Sequence, residues 1–224
     1  MYKRIWICCL FAFLSCEERE SPTTDFGQDY QPLRVGLFWV YEVSETIVFG
    51  EGDAEENEYF IRDLIEYSYI NAEGEEVFVV KRERSDDQEF WLGEGNYSLL
   101  VRRNTLVKQF ENQITVPLVF PPDVGRTWDA MTYNASSTDM YEIDFIGNVT
   151  IGEQTFQRSV RVLQEEEDDE ITFRNNRYEV YVRGVGLVEQ FQEVFTYCSR
   201  NDCLGEMILN SGRKAHFRIL VYGG

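Results

Sequence analysis

The segment Leu37-Phe38-Trp39-Val40-Tyr41-Glu42-Val43-Ser44 carries the pattern that decides the fold. Large apolar side chains recur at every second position, and a period of two is typical of a β-strand with one buried face. The same alternation returns over residues 156–164 and over residues 215–222. β-Branched and aromatic residues, which pack well on a pleated surface, fill all three stretches. The pattern predicts strands, and we find no long stretch with a convincing helical period.

Turn signals separate these stretches and set the number of strands. Groups of Gly and Asn interrupt the alternation at 71–74, 93–96, 151–153 and 175–176, and such residues favour tight turns. The spacing predicts about twelve strands. They are expected to be antiparallel, because parallel neighbours need crossover connections longer than the stretches between these strands.

Two motifs occur twice in the same order. Pro-x-x-Val-Gly-x-x-Trp spans Pro32 to Trp39 and again Pro121 to Trp128. A second motif, Val-Arg-x-x-x-Leu-Val-x-Gln-Phe, spans residues 101–110 and again 182–191. The offsets are 89 and 81 residues, and a longer first hairpin, with residues 51–58 as its extra tip, would account for the difference. A fixed order of repeated motifs indicates an internal duplication.

The first motif is interpreted as the opening of a strand. Its proline lacks an N–H and therefore belongs before the strand, and its glycine allows a tight turn. Trp39 and Trp128 are predicted to be core anchors, with Gly36 and Gly125 as the turn positions before them. The alternative is that both tryptophans belong to a binding platform.

These patterns predict an all-β protein: an antiparallel curved sheet, open barrel or half-barrel built from two tandem β-repeats. The predicted divisions are a signal peptide over 1–15, a flexible tether over 16–31, a first repeat over 32–120 and a second over 121–195. Residues 196–224 are predicted to form a C-terminal hairpin, and 32–224 to be one merged domain because open sheet edges need covering.

The N-terminus has the organisation of an export signal. Lys3 and Arg4 precede an apolar run of about ten residues, which is much shorter than the ~20 residues of a membrane-spanning helix. The end of this run, Phe13-Leu14-Ser15-Cys16, resembles the bacterial lipobox, although Leu is usual where Phe13 stands. That resemblance implies that Cys16 becomes the first mature residue and carries acyl chains such as palmitate.

The acidic run Glu17-Glu18-Arg19-Glu20 follows directly. It resembles the surface-export signal of Bacteroidota lipoproteins, and it also fits a solvated tether. The chain has 21 Lys and Arg against 40 Asp and Glu, a net charge of −19, which becomes −21 when Lys3 and Arg4 leave with the signal. Anionic headgroups would repel this body, so attachment through acyl chains is expected. The predicted location is the bacterial cell envelope, at the periplasmic or surface face of the outer membrane.

The remaining cysteines predict a disulfide. Cys8 and Cys9 lie in the signal and Cys16 is the lipid site, which leaves Cys198 and Cys203. Two close cysteines in an exported chain are expected to pair. A structural zinc site needs four ligands, and His216, the one histidine, is the only further His or Cys ligand. No metal and no cofactor are therefore predicted.

The residues offer little support for catalysis. A Ser-His-acid triad would need His216, and no Gly-x-Ser-x-Gly elbow is present. Asp86-Asp87 and the acidic run 165–170 could supply a hydrolase carboxylate pair or calcium ligands. Charge runs between strands are more often solvated tips. The acidic balance also excludes nucleic acid, whose phosphates need clustered Lys and Arg.

The opening motif, together with Tyr181-Val182-Arg183-Gly184-Val185-Gly186-Leu187-Val188, resembles a module of uncharacterised bacterial lipoproteins with a PLxVGNxWxY opening and a GVGLV closing. The match is best over 121–195. The first half has Arg103-Asn104-Thr105 in place of the glycines. The resemblance implies an antiparallel sheet, curved like lipoprotein carriers, and no specific activity.

We therefore expect a non-enzymatic lipoprotein with a binding or structural role, whose partner is an envelope protein, glycan or lipid. The alternative is a carrier or sensor of an apolar ligand, which requires a concave groove lined by apolar side chains. An acid-pair hydrolase is the third possibility, and it requires two carboxylates facing each other at about 5–10 Å.

Overall fold

The structure, a computed structural model, describes residues 25–134 and 137–224. Twelve antiparallel strands form one sheet in the order β6-β5-β4-β3-β2-β1-β12-β11-β10-β9-β8-β7. This arrangement confirms the predicted fold class and the predicted number of strands. The strands are β1 (Phe38–Gly50), β2 (Asp53–Ile70), β3 (Glu76–Ser85), β4 (Leu92–Arg102), β5 (Thr105–Phe110), β6 (Gln113–Val119), β7 (Thr127–Asp129), β8 (Met140–Ile151), β9 (Gln154–Asp168), β10 (Phe173–Val182), β11 (Gly186–Tyr197) and β12 (Leu209–Gly223).

The chain forms two six-stranded meanders, and its last strand pairs with its first. β1 and β12 are paired from Phe38–Gly223 to Val48–Gly212, which joins the meander β1–β6 to the meander β7–β12. The two edge strands, β6 and β7, are consecutive in the chain. The sheet therefore curves into a nearly closed barrel with a single seam between β6 and β7.

The seam is held by few bonds, all of them to β6. The Val116 N–H donates to the Ala130 carbonyl at 2.8 Å, and the Trp128 indole donates to the Val116 carbonyl at 2.7 Å. The Asn134 side-chain amide donates to the Ile114 carbonyl at 2.5 Å. Trp128 thus contributes to barrel closure as well as to packing.

Turns alternate between the two ends of the barrel. The turns β1–β2, β3–β4, β5–β6, β9–β10 and β11–β12 lie at one end, which we call the open end. The turns β2–β3, β4–β5, β8–β9 and β10–β11 lie at the other end with the C-terminus, and we call this the closed end. The chain also enters the barrel at the closed end.

An apolar core fills the closed half of the barrel. It includes Val43, Ile65, Val80, Leu118 and Val160, all of which are fully buried. The β8–β9 turn also folds across this end, since the Phe156 ring lies 6.5 Å from the Tyr222 ring of β12. The core therefore occupies one half of the barrel and leaves the other half for polar side chains.

The last seven residues of the predicted tether differ from the prediction. Within the described residues, the one helix is a 3-10 helix at Gln28–Tyr30, and no helix has the length and apolar character to span a membrane. Tyr30 is buried in the core, and Arg183 binds both Asp25 and Asp29 at 2.6 Å. Residues 25–31 therefore pack on the closed end. The predicted signal peptide 1–15, the lipid site Cys16 and the tether up to residue 24 lie outside the described residues.

Two of the four predicted turns are wrong. Residues 71–74 and 151–153 do connect strands, whereas 93–96 lie inside β4 and 175–176 inside β10. The register shift opposite Arg82 and Glu83 makes Glu94 an extra residue between Gly93 and Gly95. The glycines therefore mark a β-bulge, another conformation that glycine favours.

The first hairpin is longer than predicted and has a smaller tip. Only Glu51 and Gly52 form the turn, while residues 53–58 belong to β2 and pair with β1. The predicted boundary at 195/196 also differs from the structure, because β11 continues to Tyr197. β12 lies between β11 and β1 in the centre of the sheet order instead of in a separate C-terminal hairpin.

Candidate functional site

The two opening motifs form the same local structure. Gly36 and Gly125 both have a positive φ, 94° and 83°. The Gly36 N–H donates to the Ile65 carbonyl at 2.9 Å, and the Gly125 N–H donates to the Ile143 carbonyl at 2.8 Å. The N–H of each glycine thus binds the second strand of its own meander, at a turn just before the first strand begins. The division into two repeats remains a prediction that these matching bonds favour.

The predicted anchor tryptophans bind across the two meanders. Trp39 is 3% exposed, and its indole donates to the Val185 carbonyl in the β10–β11 turn at 2.7 Å. That turn needs Gly186, since a Cβ there would lie 3.1 Å from the Trp39 indole nitrogen and from the Gln31 side chain. Trp128 is half-buried and binds β6, as described for the seam. Neither tryptophan forms an exposed platform.

The structure also locates the other predicted residues. Cys198 and Cys203 form a disulfide with a Cα–Cα distance of 5.8 Å, in the β11–β12 connection at the open end. His216 is half-buried and lies 2.6 Å from Glu189. Asp87 accepts hydrogen bonds from Glu89 and Phe90, and Asp169 from Ile171 and Phe173, so these acids stabilise turns.

Two adjoining cavities occupy the open half of the barrel. Their volumes are about 320 and 310 Å³, and Arg82, Phe110, Gln190 and Gln192 line both. The first cavity reaches the seam, where Gln113 and Thr115 of β6 face Met131 and Asp139. Its volume is at the lower end of the range for small-molecule sites. We call this first cavity the lumen site.

A buried ion pair forms one wall of the lumen site. Arg82 donates two hydrogen bonds, of 2.8 and 2.6 Å, to Asp63, which is 1% exposed. Burial lowers the pKa of Arg82, but the Asp63 carboxylate outweighs that effect and raises it. The Tyr97 hydroxyl also donates to Asp63 at 3.0 Å, and burial raises the pKa of Tyr97 well above its usual range. Arg82 therefore faces the lumen site with its charge already balanced.

The charge of a second arginine of the lining is also balanced by a carboxylate. Arg177 donates to both oxygens of Asp139 at 3.0 and 3.1 Å. Burial lowers the pKa of Arg177, and Asp139 more than offsets this and raises it. The pair connects β10 to the segment that precedes β8, beside the seam.

Lys108 is the exception among the cations of the lumen site. Its ammonium lies 4.7 Å from the centroid of the Tyr97 ring, and no described carboxylate lies within 4.0 Å of it. The residue is half-buried in the lining. Burial lowers the pKa of Lys108, and the positive charge of Arg82 lowers it further, while the charges of Glu179 and Asp63 offset part of this lowering. Lys108 therefore faces the lumen site as a cation with no described carboxylate in direct contact.

Three amides of the lining also make no hydrogen bond with any described residue. The side chains of Gln164, Gln190 and Gln192 line the lumen site, and their amide atoms are not among the fully buried unpartnered atoms of the described residues, so they reach solvent. Gln164 is 5% exposed, while Gln190 and Gln192 are half-buried. Each primary amide offers two donors and one acceptor. The lining therefore offers hydrogen bonds that water or a ligand must satisfy.

Glu179 is the lining acid that none of the described arginines holds. It is 5% exposed, and one of its oxygens accepts from the Tyr181 hydroxyl at 2.6 Å. Burial, followed by the charge of Glu179, raises the pKa of Tyr181 well above its usual range. The neutral phenol is therefore the donor, and the other carboxylate oxygen remains available.

None of the predicted site residues lines the lumen site. One signal could have found Lys108, because Leu106, Lys108 and Phe110 share a face of β5 and an isolated lysine in an apolar row indicates a polar cavity. Arg82 follows Phe78 and Val80 in the same way on β3. For metals, the described residues contain no cluster of three or more His, Cys, Asp or Glu that could hold an ion.

No protein-family model matches the chain, and no curated protein matches it. The fold is similar to two solved structures. One is a Bacteroides fragilis protein described as exported and as having a YmcC-like fold, with a TM-score of 0.46, 11% identity, and coverage of 87% of this chain and 98% of that chain. The other is a Parabacteroides distasonis protein described as a lipoprotein, with a TM-score of 0.39, 9% identity and the same two coverages.

Proposed function

We propose that this chain is a non-enzymatic binding lipoprotein of the bacterial cell envelope, and that its lumen site holds a small polar ligand. The observation that carries the proposal is the set of lining groups without a hydrogen-bond or ion-pair partner among residues 25–134 and 137–224: Lys108 and the amides of Gln164, Gln190 and Gln192. A few convergent polar groups in a preformed cavity are typical of small-molecule sites.

The lining favours a polar ligand over an apolar one. An apolar carrier needs a groove lined by apolar side chains, whereas charged, amide and hydroxyl groups make up most of this lining. Transfer of an apolar ligand into the cavity would leave those groups unsatisfied, which costs free energy. The alternative of an apolar carrier is therefore disfavoured.

The lining also favours binding over hydrolysis. A carboxylate-pair hydrolase needs one acid as a proton donor and a second as a base or nucleophile. The described lining contains two acids, Asp139 and Glu179, and Arg177 holds Asp139, which leaves Glu179 as the one lining acid without an arginine. A ligand would therefore be held without a second free acid to attack it.

Native mass spectrometry tests the ligand. The full chain, purified in detergent, would be incubated with a small-molecule extract of bacterial envelopes. We expect one polar compound bound per chain, and its loss in Thr115→Phe, which fills the lumen site. Gln109→Phe, at an exposed position of the same hairpin, is the matched control. A bound acyl lipid, or equal binding by Thr115→Phe, would contradict the proposal.

Metabolic labelling tests the anchor. We propose that acyl chains on Cys16 attach the protein to the outer membrane. Cells grown with labelled palmitate should incorporate label into the native chain and not into Cys16→Ala. Cys9→Ala is the control, because the lipobox resemblance places Cys9 in the discarded segment. Label that persists in Cys16→Ala would show that another residue is modified.

A further inference from the structure

The chemistry of the lumen site identifies the class of its ligand. We propose that the ligand is a small hydroxylated carboxylate, as in sugar acids, with its carboxylate on Lys108 and its hydroxyl groups on the amides of Gln190 and Gln192. This inference rests on the proposed function, since it requires that the lumen site be a ligand site.

The balance of charge in the lining points to a carboxylate. Arg82 and Arg177 each use two hydrogen bonds on one carboxylate, Asp63 and Asp139 respectively. Lys108 has no such partner among the described residues. A half-buried ammonium without a counter-ion is unfavourable, and charge-assisted hydrogen bonds to a carboxylate are among the strongest that a protein makes. The charges of Glu179 and Asp63 act on Lys108 only from beyond 4.0 Å, so a ligand carboxylate would supply a counter-ion in direct contact.

The remaining polar groups point to hydroxyls. Amides both donate and accept, as hydroxyl groups do, and the amides of Gln190 and Gln192 have no partner to lose in the part of the chain that the structure describes. Thr115 adds a hydroxyl on the β6 side of the lumen site. The available oxygen of Glu179 can only accept while ionised, so it would bind a hydroxyl and repel a second anionic group. These groups together favour one negative charge and several hydroxyls.

Protection of Lys108 from acylation tests the inference. The full chain in detergent would be treated with a limiting amine-reactive acyl reagent, and acylation of each lysine measured by peptide mass spectrometry. We expect saturating glucuronate to slow acylation of Lys108 by roughly ten-fold or more, since a charged hydrogen bond contributes about that factor. Lys214, half-exposed on β12, should react at an unchanged rate and serves as the internal control.

Two further probes separate the parts of the proposal. Glucose has the hydroxyls without the charge, and propionate has the charge without the hydroxyls, so both should protect Lys108 much less than glucuronate. Equal protection by glucose would overturn the role of Lys108 as carboxylate acceptor while leaving a polar ligand site in place. Equal protection by propionate would overturn the role of the amides. The absence of protection by any probe would overturn the ligand class, and native mass spectrometry would then report separately on the proposed function.

Variants of Lys108 test whether binding depends on the charge of this side chain or only on its shape. Calorimetric binding of glucuronate should weaken by roughly ten- to a hundred-fold in Lys108→Met and be largely restored in Lys108→Arg, which keeps the charge. Lys214→Met is the matched control and should bind as the native chain does. Equal affinity in Lys108→Met would overturn the assignment, provided that thermal unfolding shows the variant to be folded.

Discussion

At the scale of single residues, the ion pair between Asp63 and Arg82 is the contact whose loss is expected to reduce stability most. Asp63 is 1% exposed, and the pair lies between the apolar core and the lumen site. Buried pairs contribute little over an apolar pair of the same shape, but removal of one partner leaves a buried charge uncompensated. This asymmetry makes Asp63 a sensitive position even though it touches no proposed ligand.

Substitution of Asp63 should therefore be costly. We expect Asp63→Asn to lower the free energy of unfolding by up to about 3–5 kcal/mol, because Arg82, whose side chain is only 22% exposed, loses its counter-charge. The control is Asp144→Asn, which breaks the pair with Arg161, whose side chain is 46% exposed, and should cost no more than ~1 kcal/mol. Urea denaturation measures both. Equal effects would show that the buried pair does not support the fold.

Lys108 should make stability depend on pH. Its pKa is lowered in the folded protein by burial and by Arg82, which outweigh the opposite effects of Glu179 and Asp63, while in the unfolded chain it returns to about 10.4. Between the lowered value and about 10.4 the unfolded chain binds more protons, so this lysine destabilises the protein at neutral pH and less so as pH rises. The free energy of unfolding of the native chain, measured in urea, should approach that of Lys108→Met between pH 7 and 10. A constant difference would show that Lys108 does not titrate in this range.

Single residues also show what alternation cannot reveal. Lys108 and Gln190 are polar, and a polar residue in a strand is ordinarily expected to face solvent. In the open half of the barrel, Lys108 and Gln190 instead line an internal cavity. A sequence gives the period of a strand, but only the closure of the sheet determines whether a polar face meets a cavity or the bulk solvent.

At the scale of elements, the glycines of the two opening motifs allow a quantitative prediction. We expect Gly36→Ala and Gly125→Ala each to cost about 1–2 kcal/mol, because the backbone there adopts a positive φ that an L side chain disfavours. A Cβ at either position would meet no atom within 4 Å, so the cost is conformational.

The control for these variants is Gly93→Ala. Gly93 has no positive φ and equally open space around its Cβ position. Alanine should be neutral or slightly stabilising there, since glycine in a strand costs roughly 0.5–1 kcal/mol relative to alanine. Thermal unfolding distinguishes the sites. A loss in Gly93→Ala equal to that in Gly36→Ala would mean that φ is not the cause.

Turns show why element boundaries were only partly predictable. Asn71 and Gly74 do form a turn, in which the Asn71 side chain accepts from the Glu73 and Glu75 N–H groups at 3.0 and 2.8 Å. Asn175 and Asn176 are also of a residue type that favours turns, but they lie in β10. There the Asn176 side chain donates to Glu193 of β11. The nearby turn at 169–172 is instead formed by the acidic run, through Asp169. Composition alone does not distinguish an asparagine that caps a turn from one that pairs across strands.

For the whole molecule, the sequence predicted twelve antiparallel strands and one merged sheet, but not the pairing that makes a barrel. β1 and β12 are separated by almost the full chain, and neither has a sequence feature that selects the other. The packing of residues 25–31 on the closed end was missed for a related reason, since its partner Arg183 is distant in the sequence. Long-range pairing depends on three-dimensional closure rather than on local pattern.

This closure predicts that the chain can be permuted. Both ends of the described chain lie at the closed end, where Arg34 donates to the C-terminal Gly224 carbonyl at 3.0 Å. A variant that joins Gly224 to Asp25 through a Gly/Ser linker and opens between Glu51 and Gly52 should fold with one cooperative unfolding transition. Its midpoint in urea should lie close to that of the native chain.

The matched control opens the chain between Val43 and Ser44. That cut falls in the middle of β1, which pairs with both β2 and β12, so we expect loss of cooperative unfolding. If both permutants unfold alike, the continuity of β1 does not determine the closure of the barrel.

The position of the N-terminal segment has a consequence for how a ligand would arrive. If Cys16 is acylated as proposed, nine peptide steps separate it from Asp25, a reach of about 30 Å at most. The closed end, which residues 25–31 cover, would then lie within that reach of the anchored acyl chains, and the open end, at the other end of the barrel, would lie farther from them. A bound molecule would have to be captured from water by diffusion, and its supply would depend on what is dissolved in that compartment rather than on the composition of the bilayer.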